Sequence, residues 1–222
     1  MERTPEPELM DDEAQARAYA EADFEEVNSG FVEGFRAEFP WLGGSPFILD
    51  LGCGPGDIPL RLARAIPGAL VQAVDGSPAM MDLAREAVAG TDEEGRIMLV
   101  ISTVLDLEPP PMPFHAVVSN SLLHHLHDPS DLWGTIARVA GEGTAVYIMD
   151  LQRPESPEAA AAIVDQYAAD EPEQLRTDFY NSLLAAFTPD EVQAQVDEAA
   201  LEGLAVASAG DRHLLVRGTL EG

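Results

Sequence analysis

The residues of this chain with the clearest chemical potential form a glycine-rich turn between two carboxylates. Asp50 and Asp57 flank a turn that contains three glycines and follows the apolar run 47–49. A glycine turn that opens a helix brings a nucleotide-like ligand against bare backbone. A dinucleotide fingerprint needs a further glycine three residues after Gly54, where this chain has Asp57, and two carboxylates would repel a pyrophosphate. The turn therefore favours a cationic ligand.

A third carboxylate supports a nucleoside-like ligand. Asp75 ends the short apolar run 71–74, and a carboxylate at the tip of a second strand can accept hydrogen bonds from ribose hydroxyls. Ser77 and Pro78 then predict the N-cap and the first turn of a helix, which would place Met80 over a flat ring. These residues alone leave a nicotinamide dinucleotide open as an alternative ligand.

Alternating strand and helix patterns surround these residues and predict an α/β fold with a parallel sheet and right-handed crossovers. The predicted strands cover residues 46–51, 70–75, 96–103, 115–121 and 144–151, and the predicted helices cover residues 56–66, 78–89 and 129–140. A proline-rich loop, residues 108–113, replaces the helix before the fourth strand. So regular an alternation predicts a single core.

Helical patterns flank this body on both sides. Residues 1 to about 12 are acidic and contain proline, so we expect them to be frayed. Apolar residues between Glu13 and Phe39 recur at spacings of three and four, which predicts one or two amphipathic helices. Beyond Pro154 the predicted elements are helices up to about 169, over 172–187 and from the Thr188 cap, then strands over 204–209 and 213–219.

In its glycine motif, Asp50 to Gly56, and its second motif, Val74 to Met80, the chain resembles the class I S-adenosylmethionine-dependent methyltransferases. The resemblance covers residues 47–151 by motif and the rest by pattern. It implies a three-layer, Rossmann-like, seven-stranded, mostly parallel sheet whose last strand is antiparallel. The implied single domain comprises an N-terminal helical cap (1–45), a cofactor-binding core (46–151), a helical insertion (152–200) and closing strands (201–222).

The resemblance implies S-adenosylmethionine as cofactor and S-adenosylhomocysteine as product. Gly52 and Gly54 would let the backbone approach the methionine moiety, and Asp50 would help to receive its ammonium group. The family places an acid such as Asp106 near the adenine, which Leu107 and Met80 would bracket. The full predicted set is Tyr19, Asp50, Gly52, Cys53, Gly54, Asp75, Gly76, Met80, Asp106, Leu107 and Asn120.

Three histidines follow the fourth predicted strand. Histidine titrates near neutral pH, so His124 or His125 is the candidate general base for an acceptor that carries a proton. With His127, the histidines have offsets of one and three, which do not give the facing pair of an i, i+4 spacing. The sequence therefore predicts no metal site.

Three residues in the second half of the chain are candidates for contacting the methyl acceptor. Arg153 follows the fifth strand at the same sheet edge and could receive an acceptor carboxylate, or else form a surface ion pair. Tyr180 and His213 lie in segments expected to cap the pocket. The predicted function is methyl transfer to an oxygen, nitrogen, sulfur or carbon atom of a small molecule. The alternatives are a non-catalytic S-adenosylmethionine-binding module and an NAD-dependent oxidoreductase.

Composition limits the partners. The chain has 40 acidic and 12 basic residues, a net charge of −28, and all of its basic residues are arginine. Such a field repels phosphate backbones, so no nucleic-acid partner is expected. The single cysteine excludes an internal disulfide. With no secretory signal and no long apolar run, we expect a cytoplasmic chain without a membrane partner, as a monomer or a homodimer.

Overall fold

The chain folds around one seven-stranded sheet in a computed structural model that describes residues 1–222. The strands are β1 Phe47–Leu51, β2 Leu70–Asp75, β3 Ile97–Ile101, β4 Ala116–Asn120, β5 Ala145–Leu151, β6 Leu204–Ala209 and β7 His213–Thr219. Their order is β3-β2-β1-β4-β5-β7-β6. The strands from β3 to β5 pair in parallel, and β7 pairs antiparallel with β5 and β6. The predicted fold class, including the antiparallel last strand, is confirmed.

Helices cover both faces of the sheet and give the three predicted layers. They are α1 Glu13–Glu21, α2 Glu25–Glu38, α3 Asp57–Ala65, α4 Pro78–Val88, α5 Ser130–Val139, α6 Pro157–Tyr167, α7 Glu173–Ala185 and α8 Pro189–Glu198. On one face, Phe35 of α2 packs in a buried cluster with Ile48 of β1. On the other face, Trp133 of α5 and Val192 of α8 join Leu49. Neighbouring residues of β1 therefore serve different cores, which explains its continuous apolar run.

The register of the parallel strands positions the site. Leu51 at the end of β1 lies opposite Val74 of β2 and Ser119 of β4. The loops that follow these three strands therefore meet at one edge of the sheet, where open α/β sheets bind ligands. None of the helices combines the length and the apolar character needed to span a bilayer.

Most predicted boundaries agree with the structure within three residues. The third strand ends at Ile101, before the predicted limit of 103, and the proline-rich loop after it contains no helix. The strongest local prediction, the start of α8, is confirmed in detail: the Thr188 side chain accepts from the Glu191 amide, and the Glu191 carboxylate accepts from the Thr188 amide.

Residues 1–12, here called the N-terminal strap, contradict the prediction of a frayed segment. The Thr4 amide donates to the Leu184 carbonyl at 3.0 Å. Further along, the Ser77 hydroxyl donates to the carbonyl of Met10 at 2.7 Å. The prediction was wrong because these partners lie far away in the sequence, so no local pattern reveals that the strap is ordered.

Candidate active site

A cavity of about 530 Å³ lies at the carboxyl edge of the sheet. Its walls come from the loops after β1, β2, β3 and β4, from α1 and α2, and from the N-terminal strap. The cavity brings together nine of the eleven predicted cofactor-binding residues, namely Tyr19, Gly52, Cys53, Gly54, Asp75, Gly76, Met80, Asp106 and Asn120. Asp50 and Leu107 do not line it.

The glycine turn is shaped by left-handed backbone that favours glycine. Gly52 has φ +72°, and a Cβ atom there would stand 2.9 Å from the Leu122 side chain. Gly54 has φ +51°, and nothing lies within 4 Å of its missing Cβ. Gly54 lines the cavity, so a ligand can approach its backbone through this open space.

Asp75 ties the turn to the end of β2. One carboxylate oxygen accepts from the Gly54 amide at 2.8 Å, and the other accepts from the Ser77 amide at 2.8 Å. Burial raises the pKa of Asp75, although both backbone hydrogen bonds oppose the rise. Each carboxylate oxygen retains a lone pair for a further donor, so Asp75 can hold the turn and accept ligand hydroxyls together.

Asp50 is a buried acid with no partner. It is 1% exposed, and neither carboxylate oxygen has a hydrogen bond. Burial, with the charge of Asp75, raises the pKa of Asp50 to about 8. The amide oxygen of Asn120 at the cavity wall is also unpartnered. Two buried polar groups without hydrogen-bond partners are costly, so the end of the cavity that Asn120 lines, with Asp50 buried behind it, favours a group with N–H donors and a positive charge.

Cys53 and Met80 form apolar wall around the turn. Cys53 is buried, its sulfur lies 3.7 Å from the sulfur of Met81, and burial raises the pKa of its thiol. This is a packing environment, in which a thiol is not a nucleophile. Met80 is buried at the start of α4, where the Ser77 side chain accepts from its amide as the sequence predicts.

The loop after β3 corrects one predicted residue. Asp106 is exposed on the cavity wall, and its carboxylate accepts from the Thr103 hydroxyl at 2.8 Å. Leu107, predicted to bracket a ring with Met80, is instead buried in the large apolar cluster under α5. Leu105 takes the position on the cavity wall and is 56% exposed. Because the backbone of this loop is irregular, the sequence pattern does not indicate which of the two leucines faces the cavity.

The α1–α2 region supplies a wall that the motifs did not reveal beyond Tyr19. Tyr19 packs on Phe24 with ring centroids 4.9 Å apart, and burial, with the charge of Asp150, raises its pKa to about 12. Asn28 was missed. Its side chain accepts from the Asn120 amide at 3.2 Å, and it lines the cavity. The available signal was a polar residue, Asn28, among the apolar positions of α2. The sequence does not reveal its role, because its partner Asn120 lies far away along the chain.

Arg61 on α3 is the only lysine or arginine in the cavity wall, and its charge is already neutralised. Its guanidinium bonds both oxygens of Glu25 at 3.0 and 2.6 Å and one oxygen of Asp57 at 2.6 Å. Hydrogen bonds from Arg61 lower the pKa of Glu25 to about 2, so the pair stays ionised at neutral pH. The cavity wall carries seven acidic residues, so its net charge is strongly negative.

The two candidate bases occupy different environments. His124 is buried behind the wall, and its Nδ1 lies 2.6 Å from the Asp150 carboxylate. Burial lowers the pKa of His124, but the charge and hydrogen bond of Asp150 raise it above its usual value. His125 lines the cavity, where burial, with the neighbouring His124, lowers its pKa to about 3. Of the two, only His125 can reach a bound acceptor.

The structure does not bring the three predicted acceptor residues to this cavity. Arg153 is buried and forms an ion pair with Glu191 at 2.6 Å. Tyr180 packs in the apolar cluster between α6 and α7. His213 begins β7 opposite Leu151, and burial, with Arg212, lowers its pKa to about 4. These predictions were wrong because the helical insertion packs behind the N-terminal strap, and the strap covers the cavity.

Comparisons with known proteins match this architecture. A family profile described as "Methyltransferase domain" matches residues 48–143. Trans-aconitate 2-methyltransferase of Mycobacterium tuberculosis is 41% identical over 85 residues, which cover 38% of this chain and 29% of that protein. The Streptomyces coelicolor protein of the same name is 35% identical over 100 residues, 45% of this chain and 33% of that protein. The matched segments thus span about a third of these relatives.

Solved structures share the whole fold. The plantazolicin methyltransferase BpumL, solved with S-adenosylhomocysteine, aligns with a TM-score of 0.70 at 12% identity, covering 95% of this chain and 90% of that one. Phosphoethanolamine N-methyltransferase 2 of Haemonchus contortus, solved with S-adenosylmethionine, aligns with a TM-score of 0.68 at 17% identity, covering 88% and 43%. At these identities the likeness concerns the fold. The matches show that residues 48–143 resemble a methyltransferase domain and that the chain has the fold of these methyltransferases.

Proposed function

We propose that the cavity binds S-adenosylmethionine and that the protein transfers its methyl group to a small-molecule acceptor. The observation that carries this proposal is the pair of unpartnered acceptors, Asp50 and the Asn120 oxygen, beside the glycine turn. An amino-acid ammonium supplies the charge and the donors that both lack. Asp75 lies across the same turn with lone pairs for a ribose. The net charge of −28 further supports a partner other than nucleic acid.

In this proposal, each part of the cavity wall contacts a different part of the cofactor or the acceptor. Asn120 binds the ammonium at the cavity wall, and Asp50, buried behind the wall, supplies the opposite charge. Asp75 binds the ribose hydroxyls, and Met80 and Leu105 contact the adenine. The cofactor supplies an electrophilic methyl group on a positively charged sulfur. Tyr19 and the N-terminal strap exclude water and orient the acceptor for in-line attack. Orientation of this kind can supply roughly 7 to 11 kcal/mol in well-aligned systems.

A base is required only for an acceptor that must lose a proton. His125 is the histidine on the cavity wall, and its pKa of about 3 keeps it neutral at pH 7. A neutral imidazole can accept a proton, but this low pKa makes it a weak base. We therefore assign His125 a contact role towards the acceptor, with proton removal left to solvent or to the acceptor's own acidity.

The charges of the wall favour a neutral or cationic acceptor. The arginine in the wall, Arg61, is held by Glu25 and Asp57, so no free cation is present to bind a carboxylate. The trans-aconitate of the named relatives is a tricarboxylate, and an acidic cavity would repel it. In this respect we propose that the chain differs from those relatives, whose matched segments do not span the whole chain.

Titration calorimetry with S-adenosylmethionine and with NAD tests the cofactor assignment. We expect saturable binding of S-adenosylmethionine and none of NAD, and the reverse result would contradict the proposal. Release of S-adenosylhomocysteine in the presence of cell extract would then separate an enzyme from a non-catalytic binding module. A module would bind the cofactor without turnover.

An acceptor panel tests the charge argument. Neutral phenols, primary amines and polycarboxylates are supplied separately, and S-adenosylhomocysteine release is measured. We expect turnover of members of the first two classes. Turnover restricted to polycarboxylates would contradict the assignment. Glu25→Gln, which loosens the clamp on Arg61, should increase the relative rate with anionic acceptors.

A further inference from the structure

Three potential ligand atoms converge where the N-terminal strap crosses the loop after β4. The Glu6 carboxylate lies 3.2 Å from Nδ1 of His125 and 3.6 Å from Nε2 of His124. All three ligand atoms lie within 4.8 Å of one another. Glu6 is 118 residues before His124 in the chain, so this grouping exists only in the fold.

When His124 is neutral, its hydrogen bond with Asp150 aims a lone pair at Glu6. Nδ1 of His124 lies 2.6 Å from Asp150, whose ionised carboxylate can only accept, so this nitrogen carries the proton. Nε2 of neutral His124 therefore presents a lone pair towards Glu6. Nδ1 of His125 is buried and has no hydrogen-bond partner, because its geometry towards Glu6 is poor for a hydrogen bond despite the short distance. With the proton of His125 on Nε2, three electron-rich atoms face one another, and they repel unless a cation lies between them.

The distances suit a metal ion. Zinc with Zn–N bonds of about 2.0 to 2.1 Å in a tetrahedral site has ligand atoms about 3.3 Å apart, close to the two Glu6 distances. A metal-bound histidine characteristically donates its other ring N–H to a carboxylate, as His124 does to Asp150. The Glu6 carboxylate is itself supported by the Ser182 hydroxyl, which donates to it at 3.0 Å.

We propose that Glu6, His124 and His125 form a binding site for a divalent transition-metal ion such as Zn²⁺, with Asp150 orienting His124. Two imidazoles and one carboxylate favour zinc, nickel or copper over magnesium or calcium. The ion links the N-terminal strap to the loop after β4. Since His125 also lines the cavity, metal binding fastens the cover of the cavity. The site does not depend on the proposed function.

The competing occupant is a proton. Burial raises the pKa of Glu6, although the charge of His124 opposes the rise, and Asp150 raises the pKa of His124. One shared proton would also relieve the repulsion. Arg3 adds a positive charge nearby, since its guanidinium donates to the His124 carbonyl at 2.8 Å. The experiment must therefore distinguish a metal ion from a proton.

Binding of Zn²⁺ to the full, untagged chain is measured by calorimetry after chelator treatment, and Co²⁺ loading is followed by its visible absorption. We expect one equivalent of Zn²⁺ and the intense visible bands of four-coordinate Co²⁺. Glu6→Gln and His125→Ala should each weaken Zn²⁺ binding at least 100-fold, and Asp150→Asn about 10- to 100-fold. His127→Ala is the matched control, because His127 is exposed in the same histidine run and should leave binding unchanged.

Two results would overturn the metal site. The first is Zn²⁺ binding that is absent or unsaturable in the folded protein. The second is equal weakening by His127→Ala and Glu6→Gln, which would indicate loose binding by the histidine run alone. Folding of each variant is checked by thermal unfolding. Unchanged S-adenosylmethionine binding in Glu6→Gln, which does not alter the cavity wall, would separate this site from the cofactor site.

Discussion

The two sides of the cavity are built in different ways. On one side, here called the donor side, Asp50, the glycine turn and Asp75 belong to two short segments that follow adjacent parallel strands. On the other, here called the cover side, the N-terminal strap, α1 and α2 are held by contacts with distant parts of the chain, such as Arg3 with the Leu126 carbonyl. Short local segments of the sequence therefore determine the donor side, whereas the cover side depends on contacts between distant parts of the chain.

The difference has a physical origin. A left-handed turn demands glycine at fixed positions, and a carboxylate that binds adjacent backbone amides must stand at fixed spacing, so both leave marks in the sequence. The N-terminal strap is held by hydrogen bonds from side chains to backbone carbonyls. Such bonds need only a few suitable residues, which can lie anywhere in the chain. Substitutions on the two sides should therefore have effects of different kind and size.

The largest effect is expected on the donor side. Asp75→Ala should weaken S-adenosylhomocysteine binding by about 2 kcal/mol, roughly 30-fold, because charge-assisted hydrogen bonds to the ribose are lost. Calorimetry measures the change. Asp92→Ala, an exposed acid in the turn after α4, is the matched control and should bind normally. Equal binding by wild type and Asp75→Ala would refute the assignment of this side.

A pH-dependent effect is expected at Asp50. Its pKa of about 8 means that the free protein holds the proton at neutral pH, whereas a bound ammonium favours the carboxylate. Cofactor affinity should therefore rise between about pH 6 and pH 8. Asp50→Asn should bind about 10-fold more weakly at pH 8 and lose this rise. Calorimetry at several pH values would contradict the assignment if wild type and variant had parallel profiles.

Asp50 should also affect the stability of the ligand-free protein. With rising pH its contribution to stability should fall, whereas cofactor affinity should rise. The folded pKa of Asp50 lies above its ordinary value of 3.8, so between these two values the native state binds more protons than the unfolded state. The stability contribution of Asp50 to the ligand-free protein therefore falls as pH rises from about 4 to about 8. Asp50→Asn should be more stable than wild type at pH 8, by on the order of 2 kcal/mol in chemical denaturation.

The sequence predicts some parts of the fold and of the candidate site and misplaces others. The sequence predicts the sheet and its antiparallel last strand correctly, because they follow from strand patterns. Nine of the eleven residues predicted to bind the cofactor line one cavity, because most of them follow from local turn chemistry. Leu107 was misplaced because the direction of a side chain in an irregular loop depends on the core beside it. Arg153 was misplaced because the acid that binds it, Glu191, is 38 residues away.

A smaller effect is expected from the cover side. The Arg3 guanidinium donates to the carbonyls of His124 and Leu126 and lies 4.0 Å from the centre of the Phe187 ring. Arg3→Ala should loosen the N-terminal strap and speed cofactor dissociation about 3-fold, with faster proteolysis of the strap. Arg17→Ala, in a 3.8 Å surface ion pair with Glu86, is the control and should change neither rate.

The smallest effect is expected at Cys53, although it lies within the glycine motif. Its thiol is buried beside Met81, and burial raises its pKa. Cys53→Ala should change cofactor affinity less than about 2-fold, at a stability cost of about 1 kcal/mol for the lost packing. Rapid alkylation of the native protein by iodoacetamide, with loss of binding, would contradict this packing role.

We propose that the donor side binds the amino-acid end of the cofactor as well as its nucleoside. The most direct test is calorimetry of S-adenosylhomocysteine against 5′-methylthioadenosine, which lacks the amino-acid group. We expect S-adenosylhomocysteine to bind at least 10-fold more tightly to the wild type, and Asp50→Asn to reduce this advantage. Equal affinities for the two ligands would contradict the role given to Asp50 and Asn120.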